Sequence, residues 1–337
     1  MKSISKLAVL VVAGCAALAF AGNALATQKM EVTQTASPAS VTIKLSQTAT
    51  DPQPAKITVY VPAGYTLNAT QSAGTTIGTT TGNVIAKDLG GIPVPLEGDV
   101  KVDNPANHLT EFCSPGQHAA VWLLNLSVLG QTIALPVYVD PTAGAETALG
   151  AAKLQVCLGP SDVPQGSPGR SPNGAQLLDA TFTVNGVLTP PTGPVRWIAF
   201  WTPYATGTGQ PNPAGTVETR AFVGPGAVTI AGRVTSKKKK QVTLSGAVTQ
   251  SGIGVATKVS ILINGRSKAS ATSNASGRYS KKVKGVGKRT SFQARVSVAA
   301  RDLGAAGCAS PTNPAFQCVS ATAGAFTATS RKLSFKF

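Results

Sequence analysis

VWLLNLSVLGQTIALPVYV, residues 121–139, decides the fold. Two apolar runs, residues 121–128 and 133–139, flank Gly130-Gln131. Each is far shorter than the roughly 20 apolar residues of a membrane helix. Paired around a short glycine turn, they predict a β-hairpin, and the scarcity of polar residues predicts burial on both faces. Outward from this hairpin the pattern becomes alternation. Val41, Ile43 and Leu45 share one strand face, as do Ile57, Val59 and Val61, where Pro62-Ala63-Gly64 ends the strand. Further strands are expected at residues 153–158, 180–187, 195–202 and 217–223, while 159–174, dense in Pro, Gly and Ser, is a loop. Short strands between turn signals, with no fixed repeat, predict an all-β chain built from two β-sandwich domains.

The first 26 residues read as an export signal: Lys2 and Lys6, an apolar stretch from Leu7 to Phe20, then Ala24-Leu25-Ala26 at the cleavage point. Val12-Ala13-Gly14-Cys15 also resembles the lipobox of bacterial lipoproteins, which would leave a lipidated Cys15. Against that, residues 16–26 stay largely apolar where a mature protein turns polar. Residues 27–337 hold no stretch long enough to span a bilayer as a helix, so a secreted or wall-associated soluble protein is expected. Four cysteines follow the signal, an even number that fits disulfides in an exported chain. Two fall in each expected domain, 27–225 and 226–337, which gives the pairs Cys113–Cys157 and Cys308–Cys318.

Charge divides these two segments. Residues 27–230 carry 9 Lys+Arg against 12 Asp+Glu, a net of −3. Residues 231–337 carry 19 against one acid, Asp302, a net of +18. Such a segment repels itself and is expected to meet an anionic cell-envelope polymer or acidic polysaccharide. The expected contact residues are Lys237, Lys238, Lys239, Lys240, Arg278, Lys281, Lys282, Lys284, Lys288 and Arg289. The plainer alternative is a solvated face that protects sheet edges, a role lysines fill well. Aromatics are nearly absent among these cations, which argues against single-strand stacking and sequence-specific nucleic-acid binding.

Gly224-Pro225-Gly226 marks the domain boundary. Beyond it come a Val259-x-Ile261 strand, the Asn264-Gly265 turn, and Thr272 followed by Asn274-Ala275-Ser276-Gly277-Arg278-Tyr279. This Thr-x-x-x-x-Gly-x-Tyr corner resembles the carboxypeptidase-regulatory-like (prealbumin-type) Ig-like modules of bacterial secreted proteins, over about residues 241–298. The resemblance implies an Ig-like sandwich in which Gly277 makes a tight corner and Tyr279 packs inward. It implies scaffold or binding roles and supplies no catalytic residue. The order Cys113, Trp122, Cys157 resembles an immunoglobulin core, but Gln155 stands where a corner tyrosine would, so no family name attaches to the N-terminal domain.

Two further constellations carry chemistry. His108, Glu111 and His118 include the chain's only histidines and would suit a metal-dependent hydrolase. Their spacing matches no metal motif, and turn residues beside a disulfide explain them better. Trp197 and Trp201 share a strand face ahead of Tyr204 and a polar loop, an arrangement that would suit sugar stacking if exposed. Tryptophan on a strand is more often core. No nucleophile elbow or cofactor motif appears, so a non-catalytic protein without a cofactor is expected.

Overall fold

The computed structural model describes residues 26–128, 130–287, 289–308 and 316–335. Residues 1–25, which hold Cys15 and nearly all of the expected export signal, and Lys288, Lys336 and Phe337 lie outside the described residues. The chain is all-β, with helical structure among the described residues confined to short 3-10 turns. No helix among them is long and apolar enough to cross a membrane.

The first part contains β1 (Lys29–Ala36), β2 (Ala39–Ser46), β3 (Pro54–Val61), β4 (Thr66–Leu67), β5 (Thr76–Ala86), β6 (Ile92–Asp103) and β7 (Ala120–Val128). It continues with β8 (Gln131–Pro141), β9 (Ala152–Cys157), β10 (Ala175–Asn185), β11 (Leu188–Thr189), β12 (Val195–Pro203) and β13 (Val217–Val223). The second part contains β14 (Gly226–Val228), β15 (Ala231–Ser236), β16 (Gln241–Gln250), β17 (Ile253–Gly254), β18 (Lys258–Ile263) and β19 (Arg266–Thr272). Then follow β20 (Arg278–Val283), β21 (Ser291–Val298), β22 (Arg301–Asp302), β23 (Gln317–Ala323), β24 (Phe326–Thr329) and β25 (Leu333–Ser334).

The hairpin at 121–139 is β7 and β8, in register from Ala120↔Val139 to Val128↔Gln131. Its base is buried on both faces. Trp122 and Val139 enter the core, while Val121 and Tyr138 face outward and are buried as well, Tyr138 lying 4.6 Å from the ring of His118. Toward the turn, Ser127, Thr132 and Ala134 are exposed, so the expected double burial holds only where the 104–119 loop covers the sheet.

One sheet of thirteen strands runs in the order β1-β2-β10-β5-β6-β7-β8-β9-β3-β12-β13-β23-β22. It curls on itself into a sandwich-like layer pair with a single apolar interior. Trp122 of β7 faces Phe182 of β10 across that interior at 6.1 Å. Trp197 of β12 meets Tyr65 edge-on at 5.1 Å and donates its indole N–H to the Tyr65 hydroxyl at 3.2 Å. That hydroxyl in turn donates to the Gln34 amide oxygen of β1.

The second part is a β-sandwich of two five-stranded sheets, one centred on β16 and the other on β18 and β21. Between them lie Val242, Leu244, Val259, Ile261, Tyr279, Phe292 and Val296, all buried. Gly277 sits at φ +76°, and a Cβ there would lie 2.1 Å from the Val248 carbonyl oxygen, so only glycine fits this corner. Tyr279 is buried and donates its hydroxyl to the Thr229 carbonyl at 2.6 Å.

The division expected at 225/226 is crossed by the chain. β23 leaves the second sandwich and pairs in parallel with β13, and β22 pairs with β23 at the edge of the first sheet. A sequence pattern registers local alternation and carries no trace of this long-range parallel pairing. Ser320 and Thr322 of β23 donate hydroxyl hydrogen bonds to the Gln28 and Met30 carbonyls, each at 2.6 Å, and Lys29 pairs with Asp302 at 2.5 Å. The two parts are fastened a second time by buried Gln250, whose amide nitrogen donates to the Gly224 and Gly324 carbonyls at 3.3 and 2.9 Å. Gly226 is no loose hinge either, since a Cβ there would lie 2.0 Å from the Phe326 ring.

Both cysteine pairs are disulfides, with Cα atoms 6.2 Å apart for Cys113–Cys157 and 5.8 Å for Cys308–Cys318. The first ties the 104–119 loop to β9, and the second ties the 3-10 turn Gly304–Cys308 to β23. Loop-closure entropy for separations of 44 and 10 residues corresponds to about 4 and about 3 kcal/mol.

The double substitution Ser320→Ala with Thr322→Val is expected to lower stability by roughly 1–3 kcal/mol, because two buried carbonyls lose their donors. Urea unfolding followed by circular dichroism measures it; an unchanged midpoint would show that the seam contributes nothing. The Lys29 ammonium beside Asp302 holds that carboxyl below its ordinary range. Its contribution is therefore present above about pH 4, the ordinary Asp range, and fades as the pH falls through the lowered value. Parent and Asp302→Asn should differ by under about 1 kcal/mol at neutral pH, as exposed pairs do, and should converge in acid.

Candidate functional site

Lys237, Lys238, Lys239 and Lys240 form the exposed turn between β15 and β16. The Ser236 hydroxyl accepts from the Lys239 N–H at 3.1 Å, and the Lys240 N–H closes on the Lys237 carbonyl at 3.1 Å. Val286 donates to the Lys240 carbonyl at 3.0 Å, which brings the 284–290 connection alongside this turn. Lys284 and Arg289, both exposed, sit on that connection.

A third connection, Asn264-Gly265, reaches the same end of the sandwich. Asn264 donates its N–H to the Ser291 carbonyl at 3.0 Å and accepts from the Ser291 N–H at 2.9 Å. Arg266, which begins β19 just past this turn, is therefore part of the cationic end, a residue the sequence reading missed. Its position after an Asn-Gly hairpin turn was the available signal.

The other expected contacts are spread along β20. Lys282 lies opposite Thr243 and Lys281 opposite Leu244, while Arg278 lies opposite Ala247 near the far end. Lys281 shares the inward parity of Tyr279 and Val283 yet is exposed. The structure thus gathers Lys237–240, Lys284, Arg289 and Arg266 at one end, with Lys282 beside them and Arg278 apart. None of these cations forms an ion pair among the described residues. Asp302, the segment's single acid, is engaged by Lys29.

Trp197, Trp201 and Tyr204 do not form a sugar platform. Trp197 and Trp201 are 0% and 1% exposed because the curled sheet turns their side of β12 into the interior, and Tyr204, just past β12 in a bridge with Pro211, is buried as well. The Trp201 indole donates to the Thr219 hydroxyl at 3.0 Å, and the Tyr204 hydroxyl donates to the Leu158 carbonyl at 2.6 Å.

His108, Glu111 and His118 do not converge on an open ligand position. His108 places Nε2 2.8 Å from Asp103 and Nδ1 3.2 Å from Glu111. His118 places Nδ1 3.0 Å from Asp140 and Nε2 2.9 Å from the Ser114 carbonyl. Both rings pack on Tyr138, and every ring nitrogen already meets a protein oxygen. No three His, Cys, Asp or Glu groups among the described residues are placed to share a metal ion. These side chains anchor the 104–119 loop, and burial pushes the Tyr138 hydroxyl up, reinforced by Glu111.

The sequence reading also missed a cleft of about 780 Å³ on the outer face of β3, β9 and β12. Lys56, Thr58 and Tyr60 of β3 form its central row, paired with Gln155 and Lys153 of β9 and with Phe200 and Thr202 of β12. The 3-10 turn Gly144–Ala148 brings Glu146 to one wall, where it accepts from Tyr60 at 3.0 Å and Lys153 at 3.0 Å. Tyr60, Phe200 and Phe316 stand in successive edge contacts of 5.6 and 5.0 Å. Phe112, on the rim beside Cys113, is 78% exposed. The signal in the sequence was the apolar Ile198 and Phe200 on the face opposite the tryptophans.

No family model matches the chain, and comparison with curated proteins and with solved structures returns no match.

Because both clustered tryptophans are interior, their emission should be blue-shifted and insensitive to added oligosaccharide. Trp201→Phe should cost roughly 1–3 kcal/mol by leaving the buried Thr219 hydroxyl without its partner. A red-shifted, quencher-accessible emission would reverse this assignment.

Proposed function

We propose that this chain is a secreted or wall-associated, non-catalytic binding or structural protein, whose basic module attaches it to an anionic envelope polymer or acidic polysaccharide. One observation carries the reading: exposed cations gather on three connections at one end of the second sandwich, without a carboxylate among them. Like charges held together cost self-repulsion, and a polyanion relieves it while releasing its own counterions. Turn lysines and arginines supply point charges and forks suited to phosphate or carboxylate, without the base-stacking rings of single-strand binders. In this reading the module is of the carboxypeptidase-regulatory-like kind, used as a rigid mount. Attachment to a charged surface also fits export, which the two disulfides favour.

The full chain is the proper reagent, because β22 and β23 belong to the first sheet and a 227–337 fragment would lack its partners. Binding to polyphosphate and to polygalacturonate should weaken steeply with salt. Replacing Lys237, Lys238, Lys239 and Lys240 by Ser should lower the slope of log K against log salt by roughly 3, near the limit for four counterions. The melting temperature should stay unchanged. Salt-independent retention, or a slope unaltered by the fourfold variant, would rule out this mode of attachment.

A further inference from the structure

We propose that the cleft over β3, β9 and β12 binds a small organic anion with an aromatic or alicyclic body and a single carboxylate or sulfonate. At about 780 Å³ it lies within the roughly 300–1,000 Å³ range of small-molecule sites. Size alone would not distinguish it from a surface furrow. The polar groups within it do.

Thr58 and Gln155 face each other across β3 and β9, line the cleft, and are 7% and 8% exposed. Neither side chain makes a hydrogen bond among the described residues, although the buried side chains of Gln47, Gln53 and Gln176 all do. Their polar atoms are not among the fully enclosed unpaired atoms of the described residues, so they open onto the cleft and are placed to meet a polar atom from outside. The outward parity of Lys56, Thr58 and Tyr60 follows from the burial of Ile57, Val59 and Val61 in the core.

Charge selects the sign of that atom. The cleft contains two lysines and one carboxylate. Glu146 is bonded by Lys153 and Tyr60, while Lys56 acts on it only through space and forms no ion pair among the described residues. An anion near Lys56 would gain a charge-assisted hydrogen bond next to the free amide of Gln155, the stronger class of such bonds. The body of the ligand is set by the rest of the lining. Phe200 and Phe316 supply apolar walls, and the exposed ring of Phe112 stands at the rim, where only an added apolar surface would cover it. This site is separate from the cationic end of the second sandwich and does not depend on polyanion binding.

The test uses the full chain and anilinonaphthalene sulfonate, an aromatic ring system with one sulfonate, titrated in high salt to suppress attachment to the lysine-rich end. Saturable one-to-one binding is expected, with displacement by naphthalene carboxylate and not by naphthalene methanol. Lys56→Met should weaken it roughly tenfold and Gln155→Leu severalfold, in line with losing a bond to a charged group or a neutral one. Phe112→Ala, at an exposed position that cannot disturb the sheet, should weaken it as well. The fourfold Ser variant of Lys237–240 should bind like the parent. Equal affinity in Lys56→Met and Phe112→Ala, or no saturable binding by the parent, overturns the proposal.

Discussion

Two hydroxyl hydrogen bonds of 2.6 Å, from Ser320 to the Gln28 carbonyl and from Thr322 to the Met30 carbonyl, hold β23 against β1 while the backbone of β23 pairs with β13. Parallel neighbours cannot be joined by a tight turn and need a crossover connection. Between β13 and β23 that connection contains most of the second sandwich. The chain then returns through Gly324 to add β24 and β25 to the second module. The two parts are therefore interleaved rather than strung together. Around the seam Gln28, Glu218, Thr219, Arg220, Ser320 and Thr322 are all buried. Buried polar groups cost stability unless they are paired, but a row of them fixes register in a way that interchangeable methyl groups do not.

This interleaving explains what could be read from the chain and what could not. Strand alternation puts Trp197, Ala199 and Trp201 on one face, and the structure buries all three. Alternation does not say which face meets solvent, and here the opposite residues Ile198 and Phe200 are apolar too, because the outer side of β12 is covered as well. The cysteine pairs were legible from their even number and their distribution. β23, Gln-Cys-Val-Ser-Ala-Thr-Ala, was not, since its small residues carry little local signal and its partners lie about 100 and 290 positions away. The tip lysines were legible as a run. Arg289 was legible with them as part of the basic segment, whereas Arg266 joined only through the register that brings three connections to one end.

The cleft escaped sequence reading for a related reason. Its residues come from β3, β9, β12, a 3-10 turn and the disulfide-anchored loop, and they meet only because β3 lies between β9 and β12. Lys56, Thr58 and Tyr60 read individually as the solvent half of an alternating strand. What makes them a site is the wall raised around them by Glu146 on one side and the Cys113–Cys157 cross-link on the other. Tyr60 is both a wall and a tether, since burial and its bond to Glu146 push its hydroxyl well above the ordinary tyrosine range and keep it a donor.

Rigidity links the seam to the cationic end. β16 runs from the lysine turn at Gln241 to the inter-module clamp at Gln250, ten residues and roughly 30 Å at about 3.3 Å per residue. At the clamp, Gln250 bonds the carbonyls of both chain crossings and accepts from Arg301 at 2.7 Å, while Gly226 is pressed against Phe326. A charged tip on a freely swinging module would have to give up that motion whenever it engaged a polymer. A tip on a fixed strand gives up only side-chain freedom, roughly 0.5–1.5 kcal/mol for each immobilised lysine. The lysine turn lies at the end of β16 away from the Gln250 clamp, roughly 30 Å along the strand at about 3.3 Å per residue, against a screening length of about 8 Å at physiological salt. Among the described residues no carboxylate of the chain pairs with the cations of this end, so their charge stays unneutralised by direct contact.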